Sequence, residues 1–450
     1  MNRINGIRRI VIVGLGSIGQ ALIPLLAKHY NAEIIIFDKE TDTTRKEIAQ
    51  AFSASLIHGH ITAQNYHDTL SPYLDDQTFL LNLAVSVCSI DLIKLAQSYH
   101  SLYLDTCIEP WSYEASTNSC LTSNHLLRED LKSFAGDCTS TVTALVAHGA
   151  NPGFISILMK KALLEMAKKN GLSTTPTSQA DWARLAKELG IKVVQISERD
   201  TQVSNKPVEH GHFSCTWSVD GLITECLQPA ELGWGTHETK IPDGAKPAGY
   251  SIEMAEQGRE VKVKTWSPNY LEFEGFLLTH NESLSISEYL TLKEPDSEEY
   301  RPTVYYAYHP CDAAVHSMKL LDNGTEKNVL TKQVIKDSII SGIDELGIFL
   351  ISSKFKSFWL GSNLSIGKAK KMADHNSATS LQVVSSIIAG MKWAEQHPRA
   401  GVLESECLDW EYIYDIARVY WEPIVSQETD WTPEHDKGKL VFQDFLIPMN

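Results

Sequence analysis

The 450 residues carry a formal charge of −16, with 43% hydrophobic and 21% charged side chains. A chain of this length exceeds one ordinary domain, and its composition is that of a well-buried globular protein rather than a disordered or fibrous one. The acidic balance argues against nucleic acid or an anionic membrane as partner and leaves small cations as the favoured ones.

In chain order, the first 150 residues alternate short apolar runs with helical patterns, as βαβ units do. The runs are Ile10–Val13, Glu33–Phe37, Phe79–Val85, Leu102–Asp105 and Val142–Ala147, with helices expected over Gln20–Lys28 and Asp91–Ser98. They are rich in Val, Ile and Leu without alternation, which predicts parallel strands buried on both faces. Helices over Ile155–Lys169 and Ala180–Leu189 follow, then strands that alternate: Val193–Ser197, Phe213–Val219, Leu222–Leu227 and Val304–Tyr308. If Asp220-Gly221 closes a hairpin between two of these strands, Trp217 and Glu225 share a face only when the hairpin is irregular. A long apolar helix is expected over Ser380–Ala394, and the last 50 residues read as irregular. The fold class is therefore α/β: a doubly wound parallel sheet at 1–152, a second α+β domain with a mainly antiparallel sheet at 153–375, and a 376–450 helix and tail packing back on the first domain.

Eight cysteines lie scattered without a C-x-x-C pair, which fits reduced thiols in a cytoplasmic protein. Neither H-x-x-H nor clustered Cys/His spacing occurs, so no metal is expected. Arg8 and Arg9 precede an apolar run, but it breaks at Gly14, too early for a signal peptide, and no stretch approaches the roughly 20 apolar residues of a membrane span.

Residues 9–19 read RIVIVGLGSIG, an apolar strand followed by G-x-G-x-x-G and a helix. Gly14 permits the tight turn, Gly16 lets backbone approach a pyrophosphate, Gly19 allows close helix–strand packing, and Ser17 and Ile18 open the helix whose free N–H groups face the phosphates. Asp38 ends the second strand, where a carboxylate accepts hydrogen bonds from ribose hydroxyls and repels a 2′-phosphate. This is a Rossmann site for NAD, and the chain reads as an oxidoreductase-type enzyme acting by hydride transfer.

The substrate residues are less determined. Glu109 in LYLDTCIEPW and Asn151 in HGANPG follow strands of the first domain, where a doubly wound sheet places its site. Glu198 in ISERDTQ, Trp217 and Glu225 in CTWSVDGLITECLQPAELGWGTHE, and His280 in FLLTHNES are polar or aromatic residues within apolar surroundings. Each also has a plainer reading: Glu198 paired with Arg199, Trp217 as a core aromatic, His280 as a turn residue bonded to backbone, and Cys226, next to Glu225, as a packed thiol.

Taken together, GLGSIG, LYLDTCIEPW, HGANPG, ISERDTQ, TWSVDG, LQPAELGWGTHE, THNESLSI, RPTVYYAYHP and NSATSLQVVSSIIAGM carry a resemblance that covers nearly the whole chain. The chain resembles the bacterial homospermidine synthases, of the saccharopine-dehydrogenase-like group. That resemblance implies a cytoplasmic homodimer that uses NAD to join two putrescines, or spermidine and putrescine, into homospermidine without net redox change. It implies Glu198, Glu225, Asn151 and His280 as catalytic residues, and Trp217, Glu109, Glu198 and Glu225 as substrate-binding residues. It also marks Ser86 as a departure, since members of the group carry an acid in that loop. Saccharopine- or carboxynorspermidine-type dehydrogenases are one alternative, and a non-enzymatic NAD-bound regulator is another. Substrates of the former bear carboxylates and need Arg or Lys in the pocket, whereas the segments above supply acids and an aromatic.

Overall fold

The computed structural model describes residues 6–113, 123–136, 141–295, 298–321, 325–433 and 439–448. The chain divides into two compact units: Met1–Thr122, Leu126–Phe154 and Lys368–Tyr420 form the first, and Ser123–His125, Ile155–Gly367 and Trp421–Asn450 the second.

The first unit is built on a seven-stranded sheet in the order Val402–Leu403, Ala144–Leu145, Leu102–Asp105, Thr78–Asn82, Arg9–Val13, Glu33–Asp38 and Ser55–His58. All the pairings are parallel. The absence of alternation in the apolar runs has its cause here: Ile10, Val11 and Ile12 are fully buried because helices cover both faces. The helix Ser17–His29 packs against the long helix Ala378–Gln396. The latter begins with a capping box between Ser377 and Ser380 and is buried on nearly every side, its buried residues including Gln382, Ser385 and Ser386 as well as apolar ones. Its Gly390 lets the ring of His148 lie against the backbone, where a Cβ would stand 2.5 Å from His148 Cδ2.

Two strands of the first unit differ from expectation by more than one residue at an end. Phe79–Val85 stops pairing at Asn82, and Ser86 then turns the chain with φ 61°. Of Val142–Ala147 only Ala144–Leu145 pairs as strand, since Ala147, with φ 49°, already leaves the extended region.

The second unit is organised around a ten-stranded sheet running Lys246–Ala248, Ser251–Gln257, Pro229–Gly233, Thr303–His309, Ile191–Asp200, Ile343–Ser352, Ser357–Ser365 and Ile424–Thr429, with the hairpin Lys262–Ser267/Leu271–Phe276 joined to Thr303–His309. Its strands pair antiparallel except Thr303–His309 with Ile191–Asp200, which run parallel. Tyr305, Phe349, Trp359, Phe442 and Phe445 form the core beneath one face.

The expected hairpin at Asp220-Gly221 is not formed. The strand ends at Cys215, and Val219–Leu227, read in part as strand, is a helix. Ser218 caps it by accepting the Gly221 N–H at 3.1 Å, and Val219, Leu222, Ile223 and Cys226 form its buried face at helical spacing. Asp220 and Gly221 are thus first-turn residues, so the alternation that separated Trp217 from Glu225 does not apply. The tail is also more regular than expected. The helix Trp410–Trp421 precedes the strand Ile424–Thr429, which extends the second unit's sheet at its edge. Residues from Trp421 onward accordingly belong to the second unit, and the 376–450 segment divides between the two.

Candidate functional site

In the first unit the glycine motif takes the geometry its spacing implies. Gly14 has φ 99° and donates its N–H to Phe37 O at 2.8 Å; a Cβ there would lie 2.9 Å from Leu83 O. At Gly19 a Cβ would meet Gly14 O at 2.5 Å, so turn and helix touch through backbone alone. Gly16 differs, with nothing within 4 Å of a built Cβ. It occupies the cap position of Ser17–His29 without supplying a side-chain acceptor, Ile18 follows in the first turn, and Ser17 Oγ is buried with no protein partner. Open space at Gly16, an orphaned hydroxyl at Ser17 and uncapped N–H groups form a cradle suited to a phosphate.

Asp38 is buried at the end of Glu33–Asp38. Its carboxylate accepts the N–H of Leu15, inside the glycine turn, and that of Glu40 at 2.7 Å. Arg45 stands beside it at 3.7 Å and is also paired with Glu40 at 2.9 Å and with Asp42. The guanidinium beside Asp38 is thus surrounded by carboxylates, which disfavours a 2′-phosphate. These residues fit a dinucleotide of the NAD type.

Glu109 follows Leu102–Asp105 and accepts the N–H of Ser86 at 2.8 Å, so the loop at Ser86 contacts Glu109 through its backbone. Asn151 precedes a cis bond to Pro152. Beneath this loop Asp105 accepts Ala147 N–H at 2.7 Å and Tyr103 O–H at 2.8 Å, and burial raises its carboxyl to about 7.

The other four residues lie in the second unit. Glu198 is buried on Ile191–Asp200, and parallel pairing aligns it with Tyr308. Its Oε2 accepts the hydroxyl of Tyr306 at 2.6 Å, and burial keeps that hydroxyl well above its ordinary range, as a donor. Arg199, one residue on, has its guanidinium on His309, Pro310 and Asp312. Tyr306 stacks on Tyr308 with ring centroids 5.3 Å apart and lies 4.2 Å from the ring of His280.

His280 is buried at the cap of the helix Asn281–Tyr289. Its Nε2 lies 3.1 Å from Glu225 Oε1, and its Nδ1 lies 3.2 Å from Glu282 Oε1. Glu225 Oε2 and Glu282 Oε2 are buried without a hydrogen-bond partner. Burial disfavours an imidazolium, but Glu225 and Glu282 together outweigh it and hold His280 well above the usual range. Glu225, brought here by the last turn of Val219–Leu227, is raised by burial and drawn back by His280. Trp217, two residues before that helix, is half-buried and rests on Gly221, where a Cβ would be 2.9 Å from Cζ3. Cys226 is a fully buried thiol.

The structure therefore brings Glu198, Glu225 and His280 into one connected cluster, with Trp217 at the start of the helix that carries Glu225. Glu282 and Tyr306 belong to that cluster and were missed from sequence. Both stand inside motifs singled out there, THNES and VYYAYHP. The available signals were an acid two residues from a histidine and a period-two tyrosine pair, Tyr306 and Tyr308. Among the described residues no group of three or more His, Cys, Asp or Glu is arranged to hold a metal ion, and no helix is long and apolar enough to cross a membrane.

Comparison with known proteins agrees over the whole chain. Residues 10–145 match the saccharopine dehydrogenase NADP binding domain and residues 149–428 the saccharopine dehydrogenase C-terminal domain. The chain is 38% identical to the homospermidine synthase of Blastochloris viridis, over 98% of this chain and 95% of that protein, and 36% identical to that of Mesorhizobium japonicum, over 97% and 93%. The homospermidine synthase of Legionella pneumophila, solved in complex with NAD, superposes with a TM-score of 0.91 at 38% identity over 98% of both chains. Saccharopine dehydrogenase from Saccharomyces cerevisiae shares the fold at 11% identity, with a TM-score of 0.51 over 94% of this chain and 100% of that one. The chain belongs to the homospermidine synthases, a branch of the saccharopine dehydrogenase family.

Proposed function

We propose that this chain performs NAD-dependent, redox-neutral aminobutyl transfer. Two putrescines are joined into homospermidine with loss of ammonia, and spermidine serves as an alternative donor with loss of 1,3-diaminopropane. The observation that carries the reading is the acid cluster of the second unit. Glu225 and Glu282 each keep one buried, unpartnered carboxylate oxygen, and among the described residues His280 is the only cation paired with either. Buried carboxylate oxygens without donors are costly unless a ligand supplies them, and an alkylammonium does. A saccharopine-type substrate, which carries carboxylates, would be repelled here.

Gly14, Gly16, Ser17, Gly19 and Asp38 would hold NAD, which would supply the acceptance and return of a hydride at an amine-bearing carbon. Glu198 and Glu225 anchor ammonium ends, and one of them accepts the proton an amine must lose before hydride leaves its carbon. Trp217 presents a ring face to the ammonium, worth up to about 2 kcal/mol when desolvated. Asn151 and His280 orient the reacting nitrogen or carry protons, and Glu109 adds negative potential near the nicotinamide. The free thiols of Cys88, Cys215, Cys226 and Cys311 support a cytoplasmic location, and the edge strands of the ten-stranded sheet are where a homodimer would form.

The test is product analysis by mass spectrometry with putrescine in large excess over NAD. Homospermidine and ammonia forming over many turnovers per NAD, without NADH build-up, is the expected result. Steady NADH accumulation, or activity only with a keto acid and reduced cofactor, would assign the chain to the dehydrogenases instead.

A further inference from the structure

His280 has a carboxylate at each ring nitrogen. The Nδ1 contact to Glu282 is a hydrogen bond at 3.2 Å, whereas the 3.1 Å approach of Nε2 to Glu225 is not aligned as one, which leaves Nε2 buried without an acceptor. A neutral imidazole offers one N–H and one lone pair, so in this setting it would direct a lone pair at a carboxylate oxygen. The imidazolium sets an N–H against a carboxylate on both sides, hydrogen-bonded at Nδ1 and in ionic contact at Nε2. The other groups facing the ring are Tyr306, 4.2 Å away on Thr303–His309, and through its hydroxyl Glu198 on Ile191–Asp200. Neither offers a positive charge that would compete with the proton.

We propose that Glu282 is a positioning residue that keeps His280 doubly protonated, with Nε2–H as the acid of the amine-exchange step. This rests on the aminobutyl-transfer reading and adds to it a residue and a direction of proton flow. In that step a C–N bond forms between the incoming amine and the imine carbon, and the C–N bond to the departing nitrogen breaks. Nε2 gives its proton to the departing nitrogen, which leaves as ammonia, and regains one from the incoming nitrogen. No electrons and no net protons are exchanged. His280 is then the acid, and the base that opens the cycle is a carboxylate.

The test is Glu282→Gln, whose amide oxygen still accepts from Nδ1 and fills the same volume while its charge is lost. In the full-length protein with NAD, the alkaline limb of the kcat–pH profile should move down by about one unit, because the imidazolium survives only to lower pH. Nitrogen-15 histidine spectra, assigned against His280→Gln, should show His280 deprotonating at lower pH with or without substrate. NAD affinity by calorimetry should be unchanged, and Glu282→Asp should restore the wild-type limb. An unmoved limb, or a His280 resonance that stays protonated in Glu282→Gln as in the parent, would overturn the proposal. The spectra need no turnover, so failure here is distinguishable from failure to make homospermidine.

Discussion

Gly16→Ala separates cofactor binding from folding in a way its neighbours do not. Its φ is −67°, ordinary for any residue, and no atom lies within 4 Å of the added Cβ. Alanine is a poorer N-cap than glycine by roughly 0.5–1 kcal/mol, but it removes about 0.4–1 kcal/mol of unfolded-chain entropy, so the two nearly cancel. The apo protein should melt as the parent does. The methyl group instead occupies the open space through which a pyrophosphate would approach this backbone, and losing a close fit of about 1 Å there corresponds to a roughly hundredfold weaker Kd, close to 2.7 kcal/mol. Gly14→Ala should behave oppositely: with φ 99° and a Cβ 2.9 Å from Leu83 O, strain and overpacking together cost about 2–4 kcal/mol before any ligand is added. Calorimetric NAD titration and thermal melts of both variants check this. Parent-like NAD binding by Gly16→Ala would refute the placement of the phosphates at this turn.

Three further outcomes follow from the geometry. Asp38→Ser removes one of the carboxylates around Arg45, so NADP affinity should rise by roughly tenfold and NAD affinity fall, read by fluorescence titration with each nucleotide. Trp217→Ala should lower kcat/KM for putrescine by about 5–30-fold with Tm little changed, because the indole is only half-buried and a cation–π contact is worth about 1–2 kcal/mol. Asp105 holds its proton in the folded state up to about 7, against roughly 4 when unfolded, so its contribution to stability is present below pH 4 and lost as pH rises to 7. His148, buried and lowered to about 4, works the other way and loses stability as pH falls from about 6.5 to 4. Asp105→Asn should therefore flatten the loss of Tm between pH 5 and 7, a difference on the order of 2 kcal/mol, and an unchanged slope in the variant would exclude Asp105 as its source.

The nucleotide turn was legible because its physics is local: strand, glycines and helix cap lie within eleven consecutive residues, and Asp38 is one strand away. The segment from Trp217 to Glu225 was misread because Asp-Gly is a strong hairpin signal, and it was weighed above the i, i+3, i+4, i+7 spacing of Val219, Leu222, Ile223 and Cys226. A serine ahead of that spacing marks a helix start, and helix is what formed. Tyr306 and Glu282 escaped for a different reason. Tyr306 reaches Glu198 only because two strands more than a hundred residues apart pair in parallel, and a sequence does not display that register. Glu282 lies in a helix whose polar residues, Ser283, Ser285 and Ser287 among them, are buried, so it resembled an exposed turn.

The acid cluster has to satisfy two requirements that pull apart. A diamine arrives as a dication and is held by negative charge, yet one amine must be neutral before hydride can leave, and negative charge opposes its deprotonation. Glu225 and Glu282 alone would bind tightly and hold every proton on the substrate. His280 as an imidazolium between them, as proposed above, would offset part of that charge. Glu198 accepts a tyrosine hydroxyl, a partner that brings no charge of its own. On the proposed reading the arrangement divides the work by charge, with a carboxylate to accept a proton and an imidazolium to give it, and the fold sets Glu198 and His280 on different elements.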